Sequence, residues 1–454
     1  MKIIVICLSF ILLIAGANAQ SVGINTDGSL PNASAQLDVK STAKGVVIPR
    51  MTTNERNAIA NPAVGLFVYD LSEKTLYMFD GVQWLGFSAR PDHIRFITNF
   101  EQPDLSDTSG TGYSVSMWGN FAAIGAPVLA SNGTRNVGAV FIYRLVNNVW
   151  QYLTKLTPPV SNQDCNFGIS VSLKGNFLVV GAPHEKNGPD TSGAAYFYTF
   201  NGTSWALTQT VFGPGGNTFF GASVAISSSG NYAAVGEQFS NKTFPSAGVV
   251  KVYYRATTTF ALQQTLQHFA PTAYDRFGEN VAISNNGTRI IVGAPSTNMG
   301  SYLRAGYTGQ FERAGTTWTE THRYIPSAPA NFQATGGAVD ITDSAAIFTA
   351  NKATEIHLLN ANWTKDSVIL LPSDVRAVCL DAATNKAYAF SSLFVYALSE
   401  IGYPRLRVLE LATEPANLPQ IISAYNKKYV VGFPVGINPD HGYMGGVYFG
   451  TDTH

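Results

Sequence analysis

The sequence predicts an all-β protein: a seven-bladed β-propeller of four-stranded antiparallel blades, closed by an N-terminal strand and preceded by a small mixed α+β module. Three observations predict it. A phrase opening on FG and closing on VGAP recurs as FGISVSLKGNFLVVGAP (167–183), FGASVAISSSGNYAAVGE (220–237) and FGENVAISNNGTRIIVGAP (277–295), with a worn copy, TGYSVSMWGNFAAIGAP, at 111–127. Its marker glycines Gly112, Gly168, Gly221, Gly278 and Gly336 lie 56, 53, 57 and 58 residues apart, a period of one supersecondary unit per repeat. Each repeat reads strand, turn, strand, loop, strand, turn, strand, which is four antiparallel strands.

In the best-defined repeat, 169–173 alternates apolar and small polar residues, Lys174-Gly175-Asn176 turns, and 177–181 is a buried strand. A third strand follows at 194–200, Asn201-Gly202 makes a hairpin turn, and 205–211 is the fourth strand. An aromatic opens that fourth strand in six units: Trp150, Trp205, Phe260, Trp318, Trp363 and Tyr403. Two shorter, degenerate units follow at 336–371 and 376–411. The stretch 421–450 supplies three strands only. Residues 94–100 (IRFITNF) have strand alternation and belong to no other unit, so they are expected to complete the seventh blade; an open ring would expose two sheet edges.

The domain reading is a signal peptide at 1–19, an N-terminal module at 20–90, the propeller at 91–450 and a short tail at 451–454. One lysine, an apolar run shorter than the ~20 residues of a bilayer span and Ala17-Asn18-Ala19 before Gln20 fit a cleaved export signal. The protein is therefore expected outside the cytoplasm: extracellular, at the cell surface, or periplasmic. Cys165 and Cys379, the two cysteines left after cleavage, fall in different repeats and are expected as unpaired thiols. With 29 basic and 29 acidic residues and no basic cluster, nucleic acid and anionic membranes are not expected partners.

In the N-terminal module, 45–49 reads as a strand, a short helix capped by Thr52 or Thr53 ends before Pro62, and strands at 66–70, 75–79 and 83–87 follow, the last two joined by an Asp80-Gly81 turn. The string KGVVIPRMTTNERNAI…GLFVYD…LYMFDGVQW resembles modules of secreted Bacteroidota proteins and phage-tail-like fibres. Such modules associate side by side in fibres, so the resemblance implies self-association.

The FG opening followed by VGAP and GA resembles the FG-GAP repeats of the integrin alpha-subunit propeller, in their bacterial calcium-free form. That resemblance implies an extracellular propeller used for adhesion or other binding. Within the motif, Phe167, Gly168, Gly181, Pro183, Phe220, Gly221, Phe277, Gly278, Gly293 and Pro295 are expected to be structural. The glycines serve close packing or a positive φ, and the prolines end a strand where no ladder donor is needed.

The chemistry of a catalytic or metal site is sought and not found. The turns between the first two strands, MWGN, LKGN, SSSGN and SNNGT, hold no carboxylate, whereas a calcium loop needs several. Asp340 and Asp343 flank one weak turn; Asp343 is read as its cap. The seven histidines lack zinc-site spacing, and no nucleophile elbow or phosphate loop occurs. No cofactor and no catalysis are expected.

The informative asymmetry is in the loops between second and third strands. They are long at 127–137, 183–192, 237–247, 295–305 and 433–444 and shrink to 351–354 and 391–392. The long ones carry His184, Glu185, Lys186, Asp190, Phe239, Lys242, Phe244, Tyr302, Arg304, Asp440, His441 and Tyr443. Mixed charge with aromatics suits contact with an extracellular protein or matrix. A lectin-like glycan contact, or a carbohydrate-active propeller enzyme, is the alternative.

Overall fold

The computed structural model describes residues 21–87, except 73, 82 and 83, and 110–451, except 148, 327–328, 351–354, 361–365, 371–374, 385, 392–393, 399–405, 411–420, 426–427, 434–436, 439–441 and 444–445. The expected signal peptide and the expected closing strand at 94–100 lie outside the described residues. Two compact units divide at Arg90 and Pro91.

In the first unit, Val22–Ile24 pairs in parallel with Leu37–Val39. A second, four-stranded sheet holds Arg50–Met51, Phe67–Asp70, Thr75–Phe79 and Trp84–Phe87. The strand expected at 45–49 is absent; pairing begins at Arg50 and runs parallel to Phe67–Asp70. The helix is Thr53–Asn57, capped by Thr52 in a capping box with Glu55. Its buried Arg56 lies 3.5 Å from Asp70 Oδ2 and 3.6 Å from the centroid of Tyr77, which pins helix to sheet.

Among the described residues the second unit contains seven sheets of three or four strands, each laddered only within itself, and two two-stranded ladders, Lys186–Asn187 with Asp190–Thr191 and Ile437–Asn438 with Gly442–Tyr443. Sheet I is Ser114–Trp118, Phe121–Ala126, Ala139–Val146 and Val149–Leu156; sheet II is Ser170–Lys174, Phe177–Ala182, Ala194–Phe200 and Trp205–Phe212. Sheet III is Phe220–Ile226, Tyr232–Glu237, Val249–Arg255 and Phe260–Leu266; sheet IV is Asn280–Ile283, Arg289–Gly293, Thr308–Ala314 and Thr317–Tyr324. Sheet V is Val339–Ile341, Ala345–Ala350, Glu355–Asn360 and Asp366–Leu370; sheet VI is Val375–Asp381, Lys386–Ser391, Phe394–Leu398 and Leu406–Glu410. Sheet VII has three strands, Ile421–Tyr425, Lys428–Phe433 and Gly446–Thr451. Strands in sheets I to VI pair in sequence order and antiparallel. The first strand of each sheet lies against that of the next, and Ile421–Tyr425 lies against Ser114–Trp118. No hydrogen-bonded ladder joins one sheet to another, so the sheets form no closed barrel.

The period-2 alternation of the second strands explains the stacking. Leu178 and Val180 pack with Ala123, Val140 and Ile142 of sheet I, whereas Val179 between them packs with Val224, Val235 and Phe260 of sheet III. Both faces of each inner strand are thus buried, which is why these strands read as continuous apolar runs.

The repeated motif supplies the seams between sheets. Ser114 Oγ donates to Gly168 O at 2.7 Å, Ser170 Oγ to Gly221 O at 2.9 Å, and Ser223 Oγ to Gly278 O at 2.7 Å. At the next seam Asn280 takes the serine's place, donating to Gly336 O at 3.3 Å. The glycine of VGAP faces the same carbonyl, and a Cβ on Gly125, Gly181, Gly236 or Gly293 would fall about 2 Å from it. Phe167, Phe220 and Phe277 are fully buried beside these seams. Gly168, Gly221 and Gly278 have φ near +90°. At the outer strands a glutamine completes the seam: Gln264 Nε2 donates to Trp318 O and Gln264 Oε1 accepts from Trp318 N, both at 2.7 Å, and Gln209 clasps Phe260 in the same way.

Candidate functional site

In an antiparallel sheet of sequential strands, the connection from second to third strand and the link to the next sheet leave from the same end. The long loops of sheets I to IV therefore share an end with the links 157–169, 213–219, 267–279 and 325–338. Backbone hydrogen bonds stitch loop to link. Asp164, Asn166 and Phe167 donate to the carbonyls of Arg135, Asn136 and Val137; Tyr274, Arg276 and Phe277 to Pro245, Ser246 and Ala247; Phe332, Ala334 and Thr335 to Leu303, Arg304 and Ala305. The loops are part of the fold, and a partner meeting them need not order them first.

The stitching places two left-handed residues ahead of each marker glycine from sheet II to V. They are Asp164 and Asn166, Asn217 and Phe219, Tyr274 and Arg276, Phe332 and Ala334, all at φ between 51° and 69°. Asn and Asp tolerate this region; a bulky aromatic does so at a cost. Yet Tyr274 is 64% exposed and Phe332 51% exposed. Sequence reasoning missed both, because they stand in the links, outside the loops it inspected. The signal was present as an aromatic four residues before the marker glycine, where the preceding repeats have Asp and Asn.

The expected loop residues separate into different surroundings. Glu185 is buried: Asn162 Nδ2 and Lys186 N donate to its Oε1, and Tyr196 OH donates to Oε2 at 2.6 Å. A buried carboxylate whose acceptors are filled from the preceding link and the following strand is a loop anchor, which corrects its placement among the contact residues. Lys186, Asp190, Lys242, Phe244, Tyr302 and Arg304 are exposed. Phe239 is half-buried in a ladder in which His184 meets Phe219 edge-on at 4.5 Å, Phe219 meets Phe239 edge-on at 4.5 Å, and the Arg276 guanidinium lies 4.9 Å over Phe239. Phe244, Tyr274, Tyr302, Leu303 and Phe332 form the exposed apolar part of this end. Asp440 and His441 lie outside the described residues; Tyr443 belongs to a short strand, Gly442–Tyr443.

Two cavities accompany this architecture. One, of about 540 Å³, opens among Gln163, Asp164, Asn166, His184, Lys186, Thr191 and Asn217. Side-chain hydrogen bonds from Gln163, Asn136 and Arg135 hold the Asp164 carboxyl below its ordinary range, whereas burial pushes His184 down, partly offset by the Asp164 charge. The other cavity, of about 260 Å³, is lined by the first strands of sheets I to VI. Across it Lys174 Nζ of sheet II donates to Ile283 O of sheet IV at 2.6 Å, and Asp340 Oδ2 of sheet V accepts from Leu380 N of sheet VI at 2.8 Å. Burial pushes the Lys174 ammonium down and the Asp340 carboxyl up, each partly offset by the other's charge.

Reactive chemistry is scarce among the described residues. Burial pushes the Cys165 thiol up to about 12 and Cys379 well above its ordinary value, so neither presents a thiolate; both are free and buried. No group of three or more His, Cys, Asp or Glu among the described residues is placed to hold a metal ion. No described helix is long and apolar enough to cross a membrane. The expectation that Asp343 caps its own turn is corrected: Asp343 Oδ1 accepts from Asn286 N of the neighbouring sheet at 2.9 Å, while Thr342 Oγ1 accepts from Ser344 N and Ala345 N of its own turn.

Two family models match the chain. Residues 150–198 match the FG-GAP repeat, and residues 23–101 match the phage tail like trimerisation region. No curated protein matches the chain as a whole. The chain thus carries an FG-GAP repeat and a short trimerisation-like region on a scaffold of repeated four-stranded antiparallel sheets.

Proposed function

We propose that this chain is an exported, non-catalytic binding or adhesion protein whose loop end contacts a partner protein or matrix at the cell surface. The observation that carries the reading is the pair Tyr274 and Phe332: bulky side chains in left-handed backbone, turned out into solvent. Strain kept where it costs stability, beside the exposed Phe244, Tyr302 and Leu303, marks a surface selected for contact.

In this reading the seven sheets are blades of a propeller, and residues 94–100 add the fourth strand to sheet VII. Supporting it are the stacking of first strands from sheet I to sheet VII and the approach of Ile421–Tyr425 to Ser114–Trp118. The five long loops then form one crescent. The N-terminal unit joins three chains, a reading supported by the match at 23–101 and by the exposed side chains of Val22, Ile24, Leu37 and Val39 on one face of a two-stranded sheet. Three copies of a weak site bind a surface far more strongly than one. Neither a cofactor nor nucleic acid enters this reading.

The test is adsorption of labelled full-length chain to intact producing cells and to the same cells stripped by protease. Tyr274→Asn with Phe332→Asn is expected to abolish the bound fraction in an otherwise folded chain. Undiminished binding by that variant would refute the aromatic surface as the contact.

A further inference from the structure

We infer that the cavity at the loop end of sheet II is a saccharide site that takes a pyranose ring through its hydroxyl groups. The inference extends the binding reading to a ligand class and rests on side chains other than the aromatic patch.

Asn166 orients the imidazole of the cavity wall. Its Nδ2 donates to Pro127 O at 3.2 Å, which fixes the amide orientation and turns Oδ1 toward His184 Nδ1, 2.9 Å away. Nδ1 therefore carries the proton, and Nε2 of the neutral ring is an acceptor. Phe219, edge-on to the imidazole, holds it in place.

Asp164 is the only carboxylate lining the cavity, and its oxygens are taken: Oδ1 accepts from Asn136 Nδ2 at 2.7 Å, and Oδ2 from Arg135 Nη2 at 3.2 Å and Gln163 Nε2 at 3.0 Å. It fixes the wall and has little left to draw a cation. Among the described residues, no hydrogen-bond partner holds Lys186 Nζ, the Thr191 hydroxyl or the Asn217 side-chain amide. The cavity thus offers an imidazole acceptor, an ammonium donor, and a hydroxyl and an amide that do both.

A set that mixes donors and acceptors, with one unpaired charge, suits groups that donate and accept at once, and sugar hydroxyls are such groups. A peptide backbone would present its donors and acceptors in strand register, and the ladder at this cavity, Lys186–Asn187 with Asp190–Thr191, is two residues long, too short to take an added strand. The volume of about 540 Å³ lies within the ~300–1,000 Å³ of small-molecule sites and is open at the surface, as a site for one residue of a longer chain must be. Left-handed backbone at Asp164, Asn166 and Asn217 fixes the walls before the ligand arrives.

The test is calorimetric titration of the full chain with methyl glycosides of glucose, galactose, mannose and N-acetylglucosamine, and with methyl glucuronide as the acidic arm. Saturable binding of at least one is expected. It should weaken about tenfold in Lys186→Ala and in Asn217→Gly, roughly one hydrogen bond each; glycine keeps the left-handed backbone. A loss confined to glucuronide in Lys186→Ala assigns the ammonium to a uronate; a loss for neutral glycosides assigns it to a hydroxyl. Absence of binding by every glycoside, or binding unaltered in both variants, overturns the saccharide site. Tyr274→Asn with Phe332→Asn should leave glycoside affinity unchanged, so the cell-binding reading and this one fail separately.

Discussion

The carbonyl oxygen of Gly221 stands 1.9 Å from where a Cβ on Gly181 would lie. That one contact converts a sequence motif into a seam, because it lets the second strand of sheet II approach the opening of sheet III closely enough for Ser170 Oγ to reach the same oxygen. Gly181→Ala must push two buried backbones apart, an overpacking cost of about 3 kcal/mol or more. Ser170→Ala removes only a hydrogen bond, at about 1 kcal/mol. Denaturant unfolding followed by tryptophan fluorescence should rank them in that order, and equal midpoints would remove the seam from the account.

Lys174 and Asp340 make a second prediction. Neither has an ion-pair contact among the described residues, yet each charge moderates the other across the cavity. Lys174→Met should therefore destabilise by about 1–3 kcal/mol through the lost bond to Ile283 O and an uncompensated Asp340. Adding Asp340→Asn should recover part of the loss, since the amide oxygen still accepts from Leu380 N. The pH dependence has a defined sign. Lys174 titrates lower in the folded state than unfolded, so the unfolded state binds more protons and stability rises with pH up to the ordinary lysine value of about 10.4. Asp340 titrates higher when folded, so its contribution is full below about 3.9 and is lost as pH rises through its folded value. The stability difference between wild type and Lys174→Met should therefore widen as pH rises through the alkaline range, and a difference that stays constant with pH would mean that Lys174 carries no such shift.

Strain and exposure at the loop end predict an inverse relation between stability and binding. Tyr274→Asn and Phe332→Asn each replace a bulky left-handed residue by one that tolerates that backbone, and each should stabilise by up to about 1 kcal/mol. Melting temperature should rise while cell binding falls. A fall in both would mean that the aromatics pack as structure.

The repeats were legible because their chemistry is local. Alternating apolar residues set the strands, Asn201-Gly202 set a hairpin, and the FG and VGAP glycines stand where only glycine fits. The loop end was legible only in outline. Loop length singled out His184 and Lys186, but nothing around Glu185 in sequence announces Asn162 or Tyr196 as its partners, since both come from other segments of the fold. The left-handed positions were hidden for a related reason: Tyr274 and Phe332 acquire their conformation from the carbonyls of Pro245 and Leu303, about 30 residues away along the chain. The strand at 45–49 failed differently. Val46 and Val47 pair with no strand and are 65% and 75% exposed, as apolar residues awaiting another chain would be.

That exposure leads to the last prediction, which concerns the two units separately. Deletion of 20–90 removes the whole unit that bears Val22, Ile24, Leu37, Val39, Val46 and Val47, and leaves residues 94–100 available to sheet VII. The product should be folded and monomeric by sedimentation, while the full chain should sediment as a trimer. Deletion of 20–103 also removes the segment proposed as the fourth strand of sheet VII, and would leave two unpaired sheet edges. That product should melt lower and aggregate. Two truncations of equal stability would exclude 94–100 from the last sheet, and a monomeric full chain would exclude trimer formation, whatever the truncations do.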